Sequence, residues 1–169
     1  MSPRILNLIS FDNDRFEVPL ETASASGLIK TMFDDDDAMF DDQDNDIPLP
    51  NVSSTILAKV CVYMTHYDGK SQQPKIPAPI PNDGDLKSFI SAWDADFLGE
   101  DPAVYVHLVH AADYMDIQGL YELAAVAMAS HMRGMSKTEM CNYVGMTPYP
   151  SHETERVMEE LKWTKEVLK

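Results

Sequence analysis

Residues 104–132 read VYVHLVHAADYMDIQGLYELAAVAMASHM, and the rest of the chain is best read outward from them. The run divides at Asp116-Ile117-Gln118-Gly119-Leu120 into two helix-like halves. In the first, Val104, Leu108, Ala111 and Met115 recur at steps of three or four, the period of a helical stripe suited to burial. His107, His110 and Tyr114 fall on a flanking stripe. In the second half Leu120, Leu123, Ala124, Ala127 and Met128 form another apolar band. No paired nucleophile and base accompanies them, so these helices are expected to hold a partner rather than convert a substrate.

Upstream, Asp101 and Pro102 supply a cap and first-turn residue for the first of these helices. Ala92 to Leu98 places Trp93 and Phe97 among acids, which suits a short helix docking an aromatic onto the core. Before it, residues 68–85 are rich in Gly, Pro, Ser and Gln; Pro74, Pro77, Pro79 and Pro81 exclude a helix, and a disordered linker is expected. Ile56, Val60 and Met64, with Leu57 and Cys61 beside them, lie on one helical face running to about His66, capped from Asn51 or Ser53. Ile47-Pro48-Leu49-Pro50 is extended by its prolines. Residues 34–46 are so dense in Asp that they repel themselves and bury little, so disorder is expected there as well. A calcium loop is the sharper reading of those carboxylates, but the glycine and the closing glutamate of an EF-hand are missing.

The amino-terminal part carries the β signal. Ile5 to Ile9 and Arg15 to Val18 flank the turn-rich Asp12-Asn13-Asp14, a hairpin pattern that Pro19 ends. A helical turn over Leu20 to Ser24 follows, then a short helix capped by Ser24 or Ser26 and carrying Leu28, Ile29, Met32 and Phe33. Downstream of residue 132, Ser136 and Glu139 make a capping-box pattern, with Met135 and Met140 placed as a hydrophobic staple. Thr147-Pro148-Tyr149-Pro150 breaks that helix. Ser151 can cap a last one in which Val157, Leu161, Thr164 and Leu168 share a face beside Trp163. The order is ββα, a loop, β, then helices to the end.

Composition narrows the function classes. The 169 residues carry a formal net charge of -15, from 28 acidic against 13 basic side chains, which argues against a nucleic-acid backbone or an anionic membrane as partner. Met1 to Ile9 lacks a signal peptide's pattern, no segment approaches the ~20 apolar residues of a span, and a cytoplasmic and nuclear protein is expected. Cys61 and Cys141 lie far apart with no CxxC or Cys/His company, so reduced thiols are expected. His107, His110 and Asp113, spaced by three, are the one set that could gather metal ligands on a helix, and a metal-dependent enzyme using them is the lesser alternative. Eleven methionines, several of them beyond residue 114, suit an adaptable surface that accepts partner helices.

Taken together the motifs resemble the S-phase kinase-associated protein one family, the adaptors that join F-box proteins to a cullin in SCF ubiquitin ligases. The matching pieces are Phe16-Glu17-Val18, Ile29-Lys30-Thr31-Met32 before the acidic stretch, and Ile47-Pro48-Leu49-Pro50-Asn51-Val52 entering a helix. They continue through residues 93–98, the run from Ala111 to Leu120, the Met132-Arg133-Gly134 junction and Trp163. The resemblance implies an α/β (α+β) fold: a BTB/POZ-like domain over residues 1–133 with a small mixed sheet, then carboxy-terminal dimerisation and F-box-binding helices over 134–169. It implies no enzyme activity and no cofactor. By position it places F-box contacts at Ile117, Leu120, Leu123, Ala124, Ala127, Met140, Val144 and Trp163. Cullin contacts fall at Val106, His110, Asp113 and Tyr114. The implied partners are F-box proteins, a cullin and through it a RING subunit, with a homodimer when the chain is free. Asp113 stands where the family usually has Asn, and Thr147-Pro148-Tyr149 replaces its Asn-Asp-Phe. The first departure motivates an alternative, an F-box-binding scaffold in a cullin-independent kinetochore or trafficking assembly.

Overall fold

Alternation of apolar and polar residues in Ile5 to Ser10 makes a strand with one face in the core, and in the computed structural model this strand is the centre of the sheet. The structure describes residues 4–34, 45–68, 86–88 and 90–146, with positions 156 and 159. Strand β1 (Ile5–Ser10) pairs antiparallel with β2 (Arg15–Pro19), Leu8 opposite Phe16 and Leu6 opposite Val18. On its other side it pairs parallel with β3 (Asp46–Leu49), Leu8 opposite Ile47, giving the order β2-β1-β3. Asp46 ties all three strands together. Its carboxylate accepts from the Asn7 side-chain amide at 2.6 Å and from Arg15 Nη2 at 2.8 Å.

The hairpin turn does more than reverse the chain. Asn13 takes the left-handed conformation at φ 63°, and the Ser10 hydroxyl accepts from the Asp14 N–H at 3.1 Å. Asp12 Oδ2 accepts from the N–H of Ser54 at 2.8 Å, and the Phe11 N–H donates to the Val52 carbonyl at 2.8 Å. The tip therefore closes the amino end of helix α3 (Ser54–His66), where Ser53 holds the cap position without a side-chain bond. Of the two caps expected from sequence, neither supplies that bond. The bond to the Ser54 backbone holds the Asp12 carboxyl below the usual carboxylate range.

Helix α1 (Leu20–Ala23) is a single turn, and α2 (Gly27–Asp34) follows with Ser26 buried at its start. The Ser26 hydroxyl accepts from the Ile29 N–H at 3.3 Å and donates to the Met115 carbonyl. Asp34 ends α2 and Asp46 opens β3, so both ends of the acidic stretch are structured; positions 35–44 and the linker positions 69–85 lie outside the described residues.

A 3-10 turn at Leu86–Ser88 leads to α4 (Ala92–Leu98), whose cap Ser91 accepts from the Asp94 N–H at 3.0 Å. Trp93 and Phe97 both dock, stacked on each other at 5.2 Å, with Tyr63 at 5.7 Å from Phe97. Lys59 Nζ donates to the Phe97 carbonyl at 2.6 Å, tying α3 to the end of α4. Helix α5 (Pro102–Tyr114) starts as its sequence predicts, with Asp101 accepting from the Ala103 N–H at 3.0 Å. Its left-handed break is Asp116 at φ 51°, after which α6 (Gln118–Met132) begins. Leu6 and Leu8 of β1, Leu57 and Val60 of α3, Leu108 of α5 and Leu120 of α6 belong to one buried cluster. Each contributes roughly 1.5–3 kcal/mol relative to exposure.

The chain divides into two compact units, Met1–His131 and Met132–Lys169. In the second, α7 (Lys137–Tyr143) begins with the capping box read from sequence: Glu139 Oε2 accepts from the Ser136 N–H at 2.7 Å while Ser136 Oγ accepts from the Glu139 N–H. That pairing lowers the Glu139 carboxyl's pKa. Residues 147–155, with the expected cap Ser151, and Val157, Leu161, Trp163, Thr164 and Leu168 lie outside the described residues.

Candidate protein-interaction surfaces

Helix α5 divides into a buried and an outer side. Tyr105, Leu108, Ala111 and Ala112 are buried, Tyr105 also donating its hydroxyl to the Gly99 carbonyl at 2.8 Å. Steps of three and four away from them bring the four cullin-assigned positions onto one stripe: His110 and Asp113 are exposed, Val106 and Tyr114 half-buried, and exposed His107 lies alongside. The Asp113 carboxylate makes no hydrogen bond or ion pair with any described residue. Between Pro102 and Met132 there is no Lys or Arg; the carboxylates there are Asp113, Asp116 and Glu122.

The metal reading does not survive the geometry. Among the described residues no three His, Cys, Asp or Glu side chains come together closely enough to hold an ion, so His107, His110 and Asp113 share a face without forming a ligand set. Cys61 is half-buried, and desolvation pushes its thiol up to about 11.

The F-box positions on α6 all lie inside the first unit. Ile117, Leu120 and Ala124 are fully buried and Leu123 and Ala127 are 1% exposed, all within its core. The strongest apolar period on α6 thus faces the interior. Ala127 also lines a hollow of about 350 Å³, beside Pro102, Tyr105 and Ser130. The outer side of α6 is set by other residues: Gln118, Tyr121 and Ala129 are exposed, and Ala125 and Met128 half-buried. The same 3.6-residue period that marks the buried band predicts this complementary set. In the second unit Met140 and Val144 are half-buried, while Trp163 lies outside the described residues. No described helix is long and apolar enough to cross a membrane.

A small mixed three-stranded sheet with helices packed on it defines a mixed α/β module of the BTB/POZ-like kind. The description "Skp1 family, tetramerisation domain" matches residues 4–69. The chain is similar to SKP1-like protein 1A of Arabidopsis thaliana, at 34% identity over 166 residues covering 96% of this chain and 98% of the relative. It is likewise similar to SKP1-like protein 4 (33%) and SKP1-like protein 3 (32%) of that plant, each match covering 95% of both chains. The chain belongs to the Skp1 family, as a divergent member. Membership carries the family's general role, that of an adaptor in ubiquitin conjugation working through protein–protein contacts.

Proposed function

We propose that this chain bridges a cullin scaffold, with its RING subunit, to F-box substrate receptors in an SCF ubiquitin ligase. The observation that carries the cullin half is the α5 stripe of Val106, His110, Asp113 and Tyr114, held outward by a buried face one helical side away. The F-box half rests on family membership and, within the first unit, on the outer side of α6; Met140, Val144 and Trp163 are F-box contacts by resemblance alone. The core residues Ile117, Leu120, Leu123, Ala124 and Ala127 support that surface from beneath. The protein's contribution is geometric: it holds receptor and ligase in one assembly, so that transfer gains from proximity. Such an assembly belongs in the cytoplasm and nucleus, and a homodimer of the free chain would occupy the same partner surface.

Affinity purification from native extract tests the reading. A cullin and F-box proteins should be recovered together with well-folded bait, and recovery of neither overturns it. The unpartnered Asp113 favours a second reading, an F-box scaffold in a cullin-independent kinetochore or trafficking assembly. Recovery of F-box proteins without any cullin, by wild type and by Asp113→Asn alike, would establish that one.

A further inference from the structure

We infer that Asp113 is the specificity-determining residue of the α5 face and that it selects a partner presenting a lysine or arginine directly opposite. The inference rests on the cullin reading of that face and adds the chemistry of the contact. Asp113 is the sole fixed charge on α5, whose sequence from Pro102 to Tyr114 has no other carboxylate and no Lys or Arg. It is exposed, and no described side chain neutralises it. In the free protein water solvates the carboxylate. Docking over Val106, His110 and Tyr114 removes that water, and neither α5 nor α6 carries a Lys or Arg that could neutralise the charge in its place. An amide at this position could meet either a donor or an acceptor; a carboxylate meets only donors, and a buried one meets a cation or is strongly disfavoured. Cullins with a neutral or acidic residue opposite are therefore rejected, and those with a cation are retained.

The test is binding of the full chain to recombinant amino-terminal domains of the organism's cullins, by calorimetry at about 50 and 300 mM NaCl, with a captured F-box protein as the control for folding. The wild type should lose affinity steeply with salt. Asp113→Asn should weaken binding about tenfold at low salt and flatten the salt dependence, and Asp113→Lys should abolish it. Reversal of one cation on the cullin to glutamate should restore binding to Asp113→Lys. Equal or tighter binding by Asp113→Asn overturns the inference while leaving the cullin reading intact. Absence of binding by wild type and all variants, with the F-box protein still bound, overturns both.

Discussion

The Tyr67 hydroxyl donates to Oδ1 of Asp94 at 2.7 Å, and Asp94 is only 3% exposed. The second oxygen accepts from the Ser91 hydroxyl, also at 2.7 Å. Two hydroxyls thus stand in for the water that burial removed, and that of Tyr67, just past the end of α3, ties that end to α4. Tyr67→Phe leaves one oxygen of the carboxylate without that partner and should cost roughly 1–3 kcal/mol, seen as a lower urea midpoint with the slope unchanged. Asp94→Asn keeps an acceptor and should cost less; a larger loss for the amide would show that the charge, not the hydrogen bond, holds the contact.

Alkali should loosen the same region. Burial raises the Tyr63 and Tyr67 phenols above their ordinary value, and at Tyr67 the bond to Asp94 raises it further. A raised pKa means that the unfolded chain releases its proton first, so the stabilisation is complete below about pH 10 and declines as pH rises beyond it. Thermal melts between pH 9 and 11 should fall steadily, and absorbance at about 295 nm should show tyrosines that ionise only with unfolding. Tyr67→Phe should flatten the decline.

Gly27 and Asp116 fit because glycine has no side chain. The Gly27 N–H donates to the Asp116 carbonyl at 3.0 Å, and a Cβ on Gly27 would stand 1.9 Å from Asp116 Oδ2 and 3.1 Å from its Cβ. Gly27→Ala should therefore destabilise by about 1–3 kcal/mol. In an Asp116→Gly background, which also relieves the left-handed φ of 51°, the cost should shrink by about 1 kcal/mol or more. An undiminished cost in the double variant would place the strain elsewhere.

Leu120 and Tyr121 are neighbours in sequence with opposite fates, one fully buried and the other 37% exposed. Leu120→Glu puts a charge into the core, should cost well over 3 kcal/mol, and will remove every interaction at once by unfolding the protein. Tyr121→Glu should leave the circular dichroism spectrum and melting temperature close to wild type while weakening F-box binding. Strong F-box binding by that variant would remove the outer side of α6 from the proposed interface.

Local pattern carried most of the architecture. The hairpin, the α5 start at Asp101-Pro102, the buried stripe through Leu108, Ala111 and Met115 and the Ser136–Glu139 box all depend on residues within a few positions of one another. What escaped depends on distance in sequence. Asp12 capping α3 and Ser26 binding the Met115 carbonyl join segments that no short window contains. Asp94 sits among acids and reads as solvent-facing, because its compensation comes partly from Tyr67, 27 positions away. The outer set on α6 is legible as the complement of its apolar band, because in a chain this size apolarity first marks contact with the chain itself.

The Asp12 cap also bears on the order in which the protein assembles. A helix whose first N–H is answered from 42 positions upstream cannot complete its amino end by local events alone. Hairpin and α3 therefore gain stability jointly, and a ribosome must have released both before either is secure. If that joint step is the folding nucleus, Asp12→Ala will slow refolding in stopped-flow traces and leave the unfolding limb almost unmoved.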